Sequence, residues 1–212
     1  PRHYHSITIS GANYSLRGNS LTLSNGITAT YGAGASAEVV MDIALGRSQE
    51  IECATDGAFL YVSGDIALEG YSLTATGSGA VRLSGAIGGT GGITKNGAGS
   101  LRLYGSAANT YTRITRVNVG TLELSKTSGL NAMAGDLIVG NNVGTDTVLW
   151  LNSHQLPVAT AVTVNRGAIL DLNGLNETIG DLALSSGDIE TGAGLLTLAG
   201  GVSATTSTTH AS

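Results

Sequence analysis

The sequence predicts an all-β fold, a parallel β-helix (β-solenoid) of about ten coils of roughly 20 residues each. Three observations predict it. Gly, Thr, Val and Ile are abundant and scattered, which disfavours helices and suits strands. Apolar residues alternate with polar ones over very short runs, such as Leu21-Thr22-Leu23, Leu101-Arg102-Leu103, Leu122-Glu123-Leu124 and Leu196-Thr197-Leu198. Period-two alternation marks a strand with one buried face. The third observation is that these runs recur at a near-constant spacing.

A glycine-framed strand unit, Gly-x-x-apolar-x-apolar-x-Gly, appears at Gly57–Gly64. It returns in a closely similar form at Gly77–Gly85 and Gly97–Gly105. The starts at 57, 77 and 97 lie 20 residues apart, and Gly120-Thr121-Leu122-Glu123-Leu124 follows after 23. Gly167–Gly174 and Gly192–Gly200 are later copies, 25 apart. A fixed period near 20 with one short strand unit reads as one coil per repeat. Each strand then lies about 4.8 Å from its equivalent in the next coil. Ten coils give a rod about 48 Å long. A hairpin protein would show Asn-Gly or Asp-Gly turns between paired runs. Only Asn25-Gly26 and Asp56-Gly57 qualify.

Composition narrows the function classes. The 212 residues carry 10 Lys and Arg against 15 Asp and Glu, a net charge of −5, with no basic cluster, so no nucleic-acid surface is expected. Charged residues are 12% of the chain, about half the usual share, but 42% hydrophobic residues are too many for a disordered chain. One cysteine, Cys53, excludes a disulfide framework or a cysteine zinc site. No apolar run approaches the ~18 residues of a membrane helix, so this segment is not expected to insert in a membrane. Gly occurs 32 times without the period of three that collagen requires. The scarcity of Cys in a Thr/Ser/Gly-rich chain fits an exported protein.

Residues 89–124 read GTGGITKNGAGSLRLYGSAANTYTRITRVNVGTLEL. This stretch resembles the autotransporter-associated β-strand repeat (passenger-associated transport repeat) of bacterial autotransporter passengers. The resemblance rests on Gly91, Gly92, Lys95, Gly97, Gly99, Leu101, Leu103, Gly105, Asn109, Thr110, Tyr111, Thr112, Thr115, Val117, Gly120 and Leu122. Two departures are Arg113, where the family pattern has Gly, and one residue extra within Ser106-Ala107-Ala108. Residues 162–200 resemble a second segment common in that family, residues 57–90 resemble its preceding coils, and residues 1–56 fit more loosely. The resemblance implies a right-handed β-helix, residues 1–202, exported through the outer membrane to the cell surface or released from it. It implies a structural rather than a catalytic role. Residues 203–212 read as a Ser/Thr-rich tail or linker.

Candidate sites all have a structural reading beside the chemical one. Asn109-Thr110-Tyr111 reads as a corner, with the Asn side chain on turn backbone and Tyr111 over the coil edge. Lys95 lacks the Walker context of a phosphate ligand and reads as a solvated loop residue. Glycoside hydrolysis would need two carboxylates about 5–9 Å apart. The candidates are Glu50, Glu52 and Asp56, and Asp181, Asp188 and Glu190. All of them read as solvated strand faces. His3 and His5 form a weak metal pair and His154 stands alone, so no metal is assigned. Cys53 reads as a buried small residue. Alternation in Val148-Leu149-Trp150-Leu151 is read with the leucines on one side and Trp150 on the other, as an outward glycan platform or under a loop around Pro157.

The sequence thus reads as a non-enzymatic, cofactor-free structural segment, a rigid stalk or adhesin-type passenger. One alternative is a filament subunit that self-associates end to end through open sheet edges. Another is a β-helix that binds or degrades glycans. A host or matrix glycan or protein is the expected outside partner.

Overall fold

The structure, a computed structural model, describes residues 2–206. It is a parallel β-solenoid of about ten turns spaced by about 21 residues. The first turn holds β1 (Arg2–Tyr4), β2 (Ile7–Ile9) and β3 (Ser15–Leu16). The next three hold β4 (Leu21–Leu23), β5 (Ile27–Ala29) and β6 (Ser36–Val39), then β7 (Ile43–Leu45), β8 (Gln49–Cys53) and β9 (Phe59–Val62), then β10 (Ile66–Ala67), β11 (Ser72–Thr76) and β12 (Ala80–Leu83). The middle turns hold β13 (Ile87–Gly88) and the long β14 (Gly92–Gly105), then β15 (Thr115–Lys126), then β16 (Leu137–Val139) and β17 (Asp146–Trp150). The last turns hold β18 (Val162–Asn165) and β19 (Ala168–Asp171), then β20 (Glu177–Ile179), β21 (Leu182–Ser185) and β22 (Asp188–Glu190), then β23 (Leu196–Leu198) and β24 (Val202–Thr205). Of the tail, residues 203–205 lie in β24, which pairs with β21. Residues 207–212 lie outside the described residues.

Among the described residues every pairing between strands is parallel, an isolated antiparallel bridge joins Asn165 and Ser186, and the strands stack on three faces. The first face is the ladder β1-β4-β7-β10-β13, resumed by β20 and β23. The second runs β2-β5-β8-β11, the start of β14, the start of β15, β16, β18, β21 and β24. The third runs β3-β6-β9-β12, the ends of β14 and β15, β17, β19 and β22. β14 and β15 belong to both because they bend across the corner without a break. Their register shifts between Lys95 and Asn96 and between Asn96 and Ser100.

Alternation explains the core. Odd positions of β12 and β14 point inward, so Val81, Leu101, Leu122, Val148 and Leu170 form one column, and Leu83, Leu103, Leu124 and Trp150 the next. All are essentially inaccessible to solvent. Such stacked columns bury apolar area turn by turn, so each turn needs only its neighbours. An interior cavity beside Ile27, Ile51 and Leu73 has a volume of about 10 Å³. That is about the minimum for one water molecule.

Glycine is required where two backbones nearly touch. A Cβ on Gly120 would lie 2.6 Å from the carbonyl oxygen of Gly99, and Gly120 has φ +82°. Both facts exclude other residues, because that backbone region and that approach suit glycine alone. Arg113, which departs from the resembled pattern, sits where the backbone does not require glycine. It is not among the positive-φ residues, its side chain is exposed, and its N–H reaches Gly91 O at 3.1 Å. The extra residue within 106–108 is absorbed where Ser106 and Ala107 are exposed.

Candidate functional site

Several buried polar side chains bond backbone groups of adjacent turns at the corners. Asn109 is 1% exposed. Its Oδ1 accepts the Ile87 N–H at 2.9 Å, and its Nδ2 donates to Ala132 O at 2.7 Å. One amide therefore bonds the turn before and the turn after, as a peptide group would. It does so where the first face lacks regular strand between β13 and β20. Gln49 does the same toward a single turn, accepting Gly26 N–H at 2.6 Å and donating to Leu23 O at 3.1 Å. Tyr111 lies wholly inside the core, its hydroxyl 2.6 Å from Thr115 Oγ1. The corner expected at Asn109–Tyr111 thus ties neighbouring turns together, and Tyr111 fills the interior instead of covering an edge.

Lys95 differs from its expectation. It sits in β14 between Ala75 and Val117 in an inward column, with 2% exposure. Strand parity turns it inward with Ile93, and its long apolar stem fills the space. Its ammonium group donates to Gly97 O, and to Val119 O at 3.2 Å. Burial lowers its pKa to about 8, opposed by the nearby Asp146 carboxylate. Asp146 is itself buried, and burial pushes its carboxyl upward against N–H donors from Asn141 and Gly120. Lys126 repeats the device at the next corner. It passes Gly105, its partner in register, and donates to Gly85 O at 2.9 Å and Ser84 O at 3.3 Å, two turns back. Burial lowers its pKa to about 8 as well, opposed by Asp65.

Trp150 also differs from its expectation. Val148 and Trp150 share the inward parity of Leu122 and Leu124, and Leu149 lies outward between Glu123 and Asp171. The indole is fully buried and donates to Glu177 Oε2 at 2.8 Å. Glu177, 1% exposed, also accepts Gln155 N–H at 2.6 Å and Thr178 N–H at 2.9 Å. Three N–H donors replace the water this carboxylate has lost. An outward platform at Trp150 is excluded.

The remaining sequence candidates scatter. Glu50 and Glu52 share the outward side of β8, and Asp188 and Glu190 that of β22. Asp181 accepts the Gly201 N–H at 2.7 Å, one turn on. Asp42, Asp65 and Asp136 accept the N–H of Asp65, Ala86 and Ala161 in the same way. Asp42 and Asp65 precede first-face strands and Asp136 and Asp181 second-face strands, and each signals itself in the sequence as an Asp before an apolar run. Cys53 is buried, and burial raises its thiol pKa. His3 and His5 are exposed, and no group of three His, Cys, Asp or Glu residues with metal-binding proximity occurs among the described residues.

The third face carries a cluster that sequence reasoning missed. Tyr61, Arg82, Arg102 and Glu123 occupy one outward column on four successive turns. Arg82 lies over the Phe59 ring, 5.2 Å from its centroid, and the Phe59 and Tyr61 rings are 6.3 Å apart. Arg102 Nε donates to Glu123, and Arg82 approaches the same oxygen at 3.7 Å. The signal was available in the AVRLSG and SLRLYG units, which place an arginine between two apolar residues 20 residues apart.

No curated protein and no solved structure matches this chain. Residues 93–124, which run from β14 to the end of the Leu122–Leu124 column, match the family model of the passenger-associated-transport-repeat. The chain is therefore a parallel β-solenoid carrying a passenger-associated transport repeat, consistent with the β-helix of an autotransporter passenger.

Proposed function

We propose that this chain is a rigid, non-catalytic spacer of a passenger protein displayed on or released from a bacterial surface. One observation carries the reading: the buried polar groups Gln49, Asn109, Lys126 and Glu177 all bond backbone groups of neighbouring turns. Groups that active sites leave free for substrate are here committed to holding turns together. The carboxylates named from sequence form only two same-strand pairs, Glu50 with Glu52 and Asp188 with Glu190, on the outward sides of β8 and β22. A stiff stack of this kind resists proteolysis because backbone groups are paired on both sides. The family match supports export; surface display is tested directly. In intact source cells, antibodies against this segment should label the surface while cytoplasmic markers stay unlabelled. Labelling only after permeabilisation, with no release of the segment into the medium, would refute the reading. Small-angle scattering of the purified chain should give a rod about 48 Å long. Growth of that length with concentration would favour end-to-end association instead.

A further inference from the structure

We infer that the third face, at the turns built by β9, β12 and β14, is a binding surface for a linear carboxylated glycan. The spacer reading neither requires nor predicts it.

The cluster is costly for the fold. Arg82 and Arg102 are direct neighbours in register, and like charges placed so are destabilising. The repeat does not demand them, because its strand unit fixes the inward leucines and leaves the outward positions open. The Arg82 side chain is largely buried and that of Arg102 half-buried, with exposures of 16% and 32%. Of the two, only Arg102 hydrogen-bonds to an acceptor, through its Nε to Glu123, while Arg82 Nη1 stands 3.7 Å from the same carboxylate. The remaining terminal nitrogens have no hydrogen-bond acceptor among the described residues. One carboxylate serves two cations, so the pair retains a positive charge on a protein whose net charge is −5. A planar fork of donors fits a carboxylate in bidentate fashion.

The shape favours a sugar polymer over a peptide. Peptides dock on sheet edges, in apolar grooves or, where acidic, on arginine clusters; the choice between an acidic peptide and a sugar rests on the spacing and the tyrosines. Here β9, β12 and β14 are paired on both sides, so no edge is open. Arg82 and Arg102 lie one rung apart, about 4.8 Å, comparable to the length of a pyranose unit. Tyr61 lies one rung before them in the same column, and Tyr104 lies two residues beyond Arg102 on the same side. Both rings are half-buried, which fixes them for contact with the apolar face of a sugar. A polyuronate laid along the solenoid axis would meet a tyrosine and then two guanidinium forks.

The test is calorimetric titration of the purified chain with a galacturonate hexamer, with cellohexaose and a glutamate hexamer as comparators. The galacturonate hexamer should bind, more weakly as salt rises. The double variant Arg82→Gln/Arg102→Gln should lose at least about tenfold in affinity. Arg47→Gln/Arg116→Gln, an equal charge change at two exposed positions away from the third face, should lose none. Buried-tryptophan fluorescence from Trp150 reports that each variant is folded. Absence of binding, equal binding of cellohexaose, or an unchanged double variant would overturn the inference. Equal binding of the glutamate hexamer would overturn it too, in favour of an acidic protein partner. None of these outcomes bears on the export assay.

Discussion

The two buried lysines are the residues whose chemistry departs most from that of a surface position. Each titrates near pH 8 in the fold and near 10.4 when unfolded. Between those values the unfolded chain holds more protons than the folded one. Stability therefore rises with pH in that window, by up to about 1 kcal/mol per pH unit for each lysine. Cys53 and Tyr31, whose pKa values burial raises, act in the opposite sense above their ordinary values. Urea unfolding from about pH 7 to about pH 10 should show the rise, and Lys95→Met/Lys126→Met should abolish it. An unchanged profile in that variant would assign the effect elsewhere. Glu177 offers a second check. Glu177→Ala leaves the Trp150 and Gln155 N–H groups without their acceptor. It should cost about 2–4 kcal/mol in chemical denaturation, with a loss of the blue-shifted Trp150 emission.

Within a single turn, strand parity and the tight corners decide what is tolerated. Gly120 and Gly129 have the same φ, +82°. A Cβ on Gly120 meets the carbonyl oxygens of the preceding turn, whereas one on Gly129 meets nothing within 4 Å. Gly129→Ala should therefore cost about 1 kcal/mol from backbone strain alone. Gly120→Ala should cost at least about twice that, since the turns must also separate. Equal melting temperatures for the two variants would show that stacking distance is not limiting. Parity also explains what the sequence revealed. Val81, Leu101 and Leu122 stand out because period two and a 20-residue spacing coincide. Lys95 and Trp150 do not, because residue type masks position: lysine suggests solvent, and the two leucines beside Trp150 suggest the wrong phase where Val148 sets it. The Arg82–Arg102 column was hidden because register between turns, more than local sequence, brings those side chains together. Asn109 was placed at a corner, but its two-turn reach depends on the missing strands of the first face.

For the whole molecule, stability is a sum over turns and their interfaces. Central turns have a neighbour on both sides, and the long strands β14 and β15 make the most extended pairing, with ten residue pairs in register from Ile93↔Thr115 to Gly105↔Lys126. Hydrogen exchange should be slowest in β12, β14 and β15 and fastest in β1, β3 and β24, which pair on one side only. Uniform exchange along the chain would mean that the solenoid opens as one unit.

The side chains that span two turns also bear on mechanics. Backbone bonds between turns run along the axis, so a pull on the two ends loads them in series, and the weakest rung would part first. Asn109 adds one side-chain bond to the rung on each side of its own turn, and Lys126 reaches back past Gly105 to Gly85. The Lys126 contact is a lap joint: neither of the two rungs it crosses can open without breaking it. Tension on the middle of the rod is shared between rungs, and rupture is directed toward the ends.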